Sequence, residues 1–168
     1  MLGDIESFVM ADKTIPAQPD WARLDSDRFS LSTPLDVEGV TVPGFLLRGK
    51  AMVMRADADV VFQLERHPFS EKGGPLCRVE WNPLSGHTNK GCGPKALQFR
   101  EMKCSHHHPF DLNWAHSENE VRRGSLPIAI PIDPEPKNFR DFLAMVGKAF
   151  RIKNIQSIAV PEWQAVLL

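Results

Sequence analysis

Three strand-like segments joined by short turns limit most strongly how this chain folds. Segments 45–55, 59–66 and 76–81 are predicted to be strands, and turns at 56–58 and 72–75 separate them. Connections this short join antiparallel neighbours, because a parallel pair needs a crossover of about a dozen residues or more. The chain therefore predicts an antiparallel sheet.

Further segments extend this sheet. Strands are also predicted at 29–32, 40–42, 96–104 and 157–160, with a turn at 38–39. The apolar stretch 124–132 is broken by prolines, and it is predicted to be an edge strand or an extended arm because proline cannot donate a ladder hydrogen bond. Fourteen prolines and eleven glycines also favour a turn-rich β or α+β fold.

Two helices are predicted near the ends of the chain. Ile5, Phe8 and Val9 have helical spacing, which indicates a short helix over 3–12, followed by a linker at 14–20. A longer apolar stripe begins after the N-cap candidate Asn138 and ends near Arg151; it comprises Phe139, Phe142, Leu143, Val146 and Phe150.

These elements predict an α+β fold: an antiparallel β-sheet with a C-terminal helix packed on one face and a short N-terminal helix. At 168 residues, the chain is expected to form one domain over 1–168. Residues 1–27 would supply the N-terminal helix and linker, and residues 28–168 the sheet and the longer helix.

The composition excludes several classes of protein. A net charge of −1 gives no global field that favours nucleic acid, so a polyanion must be held by a local patch. Three widely spaced cysteines favour reduced thiols and a cytoplasmic protein over a disulfide framework. No apolar run approaches the roughly 20 residues of a membrane helix, and the acidic N-terminus is not that of a signal peptide. No membrane association is expected.

The segment 76–110 carries most of the chemistry, because it holds four of the six histidines. Alternation along strand 76–81 places Arg78 and Glu80 on one face, opposite an apolar face. The Gly-rich loop 86–91 displays polar side chains, and His106 and His108 share one face of the following strand. Paired imidazoles serve either proton transfer or metal binding near neutral pH. A solvated hairpin tip and an ordinary surface ion pair are the simpler interpretations.

The leading hypothesis is a nucleic-acid-directed enzyme, a metal-independent endoribonuclease that needs no cofactor. His108 would be the base, His87 or His106 the acid, and Glu80 would orient a histidine. The predicted phosphate-binding residues are Arg78, Asn89, Lys90, Arg100 and Lys103, with Lys95 extending the basic track. The partner would then be RNA.

Two alternatives stay open. A metal-dependent hydrolase would use a Cys2His2 set comprising Cys92, Cys104, His106 and His108, with His87 as a substitute, although the Cys-x2-Cys spacing of structural zinc sites is missing. A non-catalytic binding module would instead dock a protein partner, such as an antitoxin, a defence complex or a second copy, along the 126–132 edge.

The motifs of this segment resemble those of a family of small uncharacterised bacterial proteins. The residues that carry the resemblance are Leu76-x-Arg78-x-Glu80-x5-Gly86-His87-x-Asn89 and His106-x-His108-x-Phe110. That family has an Arg-x-Asp strand, a Gly/His/Asn-Pro loop and a His-x-His-x-aromatic strand before a C-terminal helix, and it is similar in layout to the TumE-like toxins of toxin–antitoxin pairs. Here Glu80 stands in place of Asp, Lys90 in place of Pro and Phe110 in place of Tyr. The resemblance implies a toxin-like protein with ribonuclease activity.

Overall fold

A large antiparallel sheet dominates the structure, a computed structural model that describes residues 4–67 and 73–163. Its strands, with a separate small hairpin, are β1 (Lys13–Thr14), β2 (Ala22–Arg23), β3 (Arg28–Val37), β4 (Val40–Met52), β5 (Val60–Arg66), β6 (Gly74–Trp81), β7 (His87–Thr88), β8 (Glu101–Met102), β9 (His106–His108) and β10 (Ile130–Pro131). The helices are α1 (Ile5–Met10), α2 (Phe110–His116), α3 (Glu118–Arg122) and α4 (Phe139–Phe150). Within the described part of the chain, no helix has the length and apolar character needed to cross a membrane.

The strands of the large sheet run in the order β1-β3-β4-β5-β6-β9-β10, and β2 also pairs with β3. All of these pairings are antiparallel. Strands β7 and β8 form the separate two-stranded hairpin. The predicted α+β class, with its antiparallel sheet and two terminal helices, is confirmed.

The sheet has one apolar face and one polar face. Phe62, Val79 and Trp81 project into a core that α4 covers. On the other face, the register aligns Arg48, Gln63, Arg78 and His108 in one row across four strands. The polar face therefore begins at β4 and ends at the histidines of β9.

Helix α4 is formed and ended as the sequence indicated. The Asn138 side chain accepts a hydrogen bond from the Asp141 N–H, which caps the first turn. Arg151 ends the helix in a left-handed conformation with φ of 55°. The predicted stripe is buried, and Phe142 stacks on Trp81 with ring centroids 5.4 Å apart.

Several local predictions were wrong. The predicted strand 96–104 is a 3₁₀ turn at Lys95–Leu97 followed by the two-residue strand β8. The predicted strand 157–160 begins at the last residue of a second 3₁₀ turn, Ile155–Ser157, and residues 158–160 form no strand. Strands 40–42 and 45–55 are one continuous strand, β4. Thr14 of the predicted linker pairs with Asp36 in the sheet. Part of the predicted turn 72–75 and the start of the predicted helix at Gly3 lie outside the described residues.

A fully buried lysine closes the C-terminal end of α1. Lys13 Nζ donates to the carbonyl oxygens of Val9 and Ala11 at 2.9 and 2.6 Å, and it lies 5.0 Å from the centre of the Phe8 ring. Burial lowers the pKa of Lys13 from 10.5 to about 8; Arg151 adds to this lowering, whereas Cys77 and Asp12 oppose it. The folded state therefore disfavours the charged form of this side chain.

We expect the free energy of unfolding to rise with pH between about 8 and 10.5 because of Lys13. Below pH 8 both states carry the proton, so the cost of the buried charge is fully present; above pH 8 the folded state releases its proton first, and the cost falls by about 3 kcal/mol. Urea unfolding of the wild type and of Lys13→Met over this range would measure the effect as the difference between the two pH profiles. Parallel profiles would contradict it.

Candidate metal centre

The pairing of β6 with β9 brings the predicted site residues together. Arg78 lies opposite His108 and Glu80 lies opposite His106, whereas His107 lies opposite Val79. Because alternate residues of a strand share a face, both pairs lie on the polar face and His107 points to the other side. The predicted same-face arrangement of these residues is therefore what the structure contains.

Three imidazole rings meet at this point. The ring centroid of His108 lies 4.6 Å from that of His87 on β7 and 5.2 Å from that of His106. The His87 and His106 centroids are 5.8 Å apart. The β7–β8 hairpin thus places His87 against the large sheet, within the proximity that a shared site requires.

Backbone carbonyl groups determine which ring nitrogen of each of the three histidines donates a hydrogen bond. His106 Nδ1 lies 2.9 Å from the Cys104 carbonyl oxygen, and His108 Nδ1 lies 2.9 Å from the Leu126 carbonyl oxygen. Each of these nitrogens therefore donates its proton, and in the neutral form of either ring the lone pair is on Nε2. His87 Nε2 lies 3.0 Å from both the Asn89 Oδ1 and the Pro127 carbonyl oxygen, so it is a donor, and in the neutral form of this ring the lone pair is on Nδ1. Metal-binding histidines are oriented in this manner, with the outer N–H held by an acceptor.

The free nitrogens of the buried pair point at one carboxylate. His106 Nε2 lies 3.7 Å from Glu80 Oε2, and His108 Nε2 lies 3.6 Å from Glu80 Oε1. One possible ligand atom from each of the three residues falls within 4.8 Å of the others. Among the described residues, this is the one group of three or more such side chains close enough to hold a metal ion. Two ligands bonded at about 2.0–2.1 Å to a tetrahedral ion lie about 3.3 Å apart, so these three ligand atoms would have to move closer together to bind one ion.

His106 Nε2 is a buried polar atom with no hydrogen-bond partner among the described residues, on a side chain that is 1% exposed. Such an atom carries a desolvation cost, which an electrophile at that position would offset. Carboxylate and neutral imidazole together are ligands for zinc and for other divalent first-row metals. The residues therefore fit a divalent metal ion.

Arg78 supplies the positive charge at the cluster in this structure. Its Nε lies 2.7 Å from Glu80 Oε1, and its terminal nitrogen donates to His108 Nε2 at 3.1 Å. The Nε contact is an ion pair without hydrogen-bond alignment, and the side chain is 29% exposed. A metal ion bound by Glu80 and His108 would have to displace these two contacts of the guanidinium.

Burial and the neighbouring cation determine the protonation of the buried groups. Burial raises the pKa of Glu80, but its proximity to His106 and His108 and the charge of Arg78 outweigh it and hold that pKa well below its ordinary value. Burial lowers the pKa of His108 to about 4, despite the opposing effect of Glu80. Burial likewise lowers the pKa of His107 to about 4. Glu80 is thus an anion and His108 a neutral imidazole near neutral pH.

Residues 126–129, which belong to no strand, supply two of these three carbonyl acceptors. Four side chains hold the backbone of residues 126–129: His108 on Leu126, His87 on Pro127, Asn113 on Ile128 and Asn89 on Ala129. Asn89 and Asn113 are fully buried, and each amide group pairs with both the N–H and the carbonyl oxygen of its partner. Asn113 was missed by the sequence analysis; an asparagine among apolar residues of a short helix is the signal that could have found it.

Asn89→Ala should lower the free energy of unfolding by about 2–6 kcal/mol. The substitution leaves the N–H and carbonyl oxygen of Ala129 without partners in a buried position, and each such group costs about 1–3 kcal/mol. Chemical denaturation followed by circular dichroism would measure the change. Asn119→Ala, at an exposed position, is the matched control and should change stability by less than about 0.5 kcal/mol. Equal effects of the two substitutions would contradict the anchoring role.

Some predicted site residues do not lie as expected. The buried Asn89 is fully used by Ala129 and His87, so it is not free to bind phosphate. Arg100 and Lys103 are exposed on the loop and hairpin, and not on a strand of the large sheet; Lys103 lies 3.5 Å from Glu101. The alternative Cys2His2 set does not come together in the structure: His106 and His108 group with Glu80, and neither Cys92 nor Cys104 belongs to this cluster.

The edge predicted for partner docking is mostly internal. Strand β10 lies at the end of the sheet, but within 126–132 only Pro131 is exposed, whereas Leu126, Ile128 and Ile132 are buried. Proline on an edge strand removes a hydrogen-bond donor and so discourages further pairing. The docking role of this edge stays a prediction.

A cavity of about 480 Å³ opens beside the cluster, lined by Gly86, His87, Thr88, Lys90 and Pro127. His87 is half-buried and contributes to both the cavity wall and the group of three rings. The Glu80 side chain is 15% exposed, so the cluster is also reached from the polar face of the sheet. The site therefore combines a buried ligand set with an accessible wall.

Comparison with protein-family models, with curated proteins and with solved structures finds no match for this chain. The toxin-like resemblance inferred from the motifs is not tested by these comparisons and stays a prediction. The function must therefore be argued from the geometry of the site itself.

Proposed function

We propose that this protein is a metal-dependent hydrolase whose metal ion is held by Glu80, His106 and His108. One observation carries the proposal: three ligand atoms converge in a buried position, and both imidazoles are held by carbonyl groups with Nε2 aimed inward. Two histidines and one glutamate bind zinc in catalytic sites that keep an open coordination position. Zinc is therefore the metal we expect.

A bound divalent metal supplies a nucleophilic water near neutral pH and polarises the scissile bond. Glu80, His106 and His108 position the ion, and the Cys104 and Leu126 carbonyl groups keep the two rings in the binding tautomer. His87 lines the cavity with Nδ1 as a proton acceptor. In hydrolysis, the hydroxide of water bonds to the electrophilic atom, the ester bond breaks, and the remaining proton passes through His87 to the leaving oxygen.

Metal binding is tested by equilibrium dialysis of the chelator-stripped protein against zinc, followed by elemental analysis. We expect one zinc ion per chain in the wild type and in His107→Gln, and none in His106→Gln. His107 is a matched control because it is the same residue type on the same strand but points away from the cluster. Retention of one zinc ion by His106→Gln would contradict the site.

Hydrolysis is tested with bis(p-nitrophenyl) phosphate and p-nitrophenyl acetate as probes. The zinc-loaded wild type and His107→Gln should release nitrophenolate, and removal of zinc by EDTA should abolish the reaction. His87→Ala should bind zinc but react about 10²-fold or more slowly, since it removes only the proton acceptor. Zinc binding without hydrolysis of either probe would identify the metal as structural and would overturn the hydrolase.

A metal-independent endoribonuclease is the second candidate, supported by the contact of Arg78 with His108. A guanidinium beside an imidazole would pair a phosphate-binding group with a base. The buried position of His108, which is 0% exposed, makes it a poorer candidate for contact with a substrate than for metal ligation. RNA cleavage that is unchanged by EDTA would favour this candidate. In a toxin context, expression of the wild type would arrest growth and expression of Glu80→Gln would not.

A further inference from the structure

The loop between β7 and β8 presents an exposed aromatic ring in a basic segment. Residues 89–100 include Lys90, Lys95 and Arg100 and no acidic residue, although the whole chain has a net charge of −1. All three cations are exposed, and none forms a salt bridge with another described residue. Phe99 in this loop is 76% exposed, the largest value among the exposed large hydrophobic residues of the described chain.

The backbone holds Phe99 firmly in this exposed position. Its N–H donates to the Asn89 carbonyl oxygen at 2.7 Å, and the neighbouring Gln98 side chain donates to the Gly93 carbonyl oxygen at 2.9 Å. The φ angle of Phe99 is 58°, a left-handed conformation that is strained for an aromatic residue. Retained strain of this kind concentrates at functional positions.

One part of the Phe99 ring rests on the backbone and the remainder is open. A Cβ atom at Gly91 would lie 3.0 Å from the ring, so glycine allows the ring to lie close to the main chain. An open aromatic surface on a fixed support is the kind of platform on which nucleic-acid bases stack, and neighbouring cations hold the phosphates. The loop is anchored through Asn89, the same residue that orients His87.

The loop also leads into the candidate metal centre. Lys90 lines the cavity of about 480 Å³ together with His87, and His87 contacts the ring of His108. A cavity of this size is within the usual range of about 300–1,000 Å³ for small ligands. A strand bound along the loop would therefore place a phosphodiester group beside His87.

We propose that this loop binds single-stranded nucleic acid, with a base stacked on Phe99 and the phosphates held by Lys90, Lys95 and Arg100. The assignment of this strand as the substrate of the metal centre rests on the proposed hydrolase. Binding of the strand by the loop does not require a metal ion. Duplex bases are already stacked on one another and do not reach the ring, so single strands are preferred. The three cations attract the negatively charged phosphates. This charge complementarity favours a nucleic acid over an apolar protein partner.

The test measures fluorescence anisotropy of labelled oligouridine and oligothymidine 12-mers, and of a duplex of the same length, with the full chain in EDTA. Phe99→Ala should weaken binding about 5- to 150-fold, because one stacked base is lost. Lys95→Ala should reduce the slope of log affinity against log salt by about 0.7. Leu84→Ala, at another exposed apolar residue, and Lys137→Ala, at another exposed cation, are the matched controls and should bind as the wild type does.

The arms of this experiment separate the two proposals. Equal affinity of Phe99→Ala and the wild type, or equal affinity for duplex and single strands, would overturn the loop as a binding site. Oligouridine bound more tightly than oligothymidine would identify RNA as the source of the strand, and the reverse would identify DNA. Binding by the wild type that Phe99→Ala loses, in a protein that takes up no zinc, would support the loop while overturning the hydrolase.

Discussion

Phe142→Ala should lower the free energy of unfolding by about 3–5 kcal/mol. Phe142 is 0% exposed, its ring stacks on Trp81 at 5.4 Å, and it lies 6.0 Å from the Phe62 ring. These contacts join α4 to β5 and β6, so truncation removes the two ring contacts and leaves a cavity that a rigid core fills only partly. Denaturant unfolding, with the slope checked for two-state behaviour, would measure the loss.

The same substitution at an exposed position provides the control for this prediction. Phe99→Ala removes the same kind of side chain, but the Phe99 residue is 76% exposed. We therefore expect the free energy of unfolding to change by less than about 0.5 kcal/mol. A Phe142→Ala protein as stable as Phe99→Ala would show that α4 does not cover the sheet.

The sheet and the long helix could be predicted because their patterns are local. Alternation fixed the faces of β6, and helical spacing with an N-cap fixed α4 from Phe139 to Phe150. The 96–104 stretch misled because it alternates like a strand, yet Phe99 adopts a left-handed φ of 58° and breaks the extended backbone. Helix α2 was missed because it has only seven residues and its buried residues are one apolar and one polar side chain, Phe110 and Asn113, which form no apolar stripe.

The site could be predicted only partly from the sequence, because backbone carbonyl groups as well as side chains orient its imidazole rings. Same-face spacing of Arg78 with Glu80, and of His106 with His108, predicted which side chains would meet once β6 and β9 paired. The carbonyl groups of Cys104, Leu126 and Pro127 orient the rings, and a carbonyl oxygen has no residue-specific signal. Glu80 was assigned to orienting a histidine and the cysteines to metal binding, because proximity across strands does not follow from spacing along the chain.

Zinc at a thousand-fold excess over its dissociation constant should stabilise the wild type by about 4 kcal/mol, and it should leave Glu80→Gln unchanged. A ligand that binds only the folded state stabilises it in proportion to the logarithm of its concentration over that constant. Glutamine keeps the size of Glu80 but removes the negative charge that holds the ion between His106 and His108. Without the negative charge of Glu80, zinc should no longer stabilise the folded protein.

The measurement is urea unfolding at several zinc concentrations, for the wild type, Glu80→Gln and His107→Gln. His107→Gln is the control, because its side chain lies on the opposite face and all three chains contain the same three cysteines that bind zinc when unfolded. We expect the wild type and His107→Gln to gain stability together along one logarithmic curve. Zinc-dependent stabilisation of Glu80→Gln to the same degree would place the metal elsewhere in the chain, because neutral glutamine cannot replace the carboxylate that joins the two imidazoles into one ligand set.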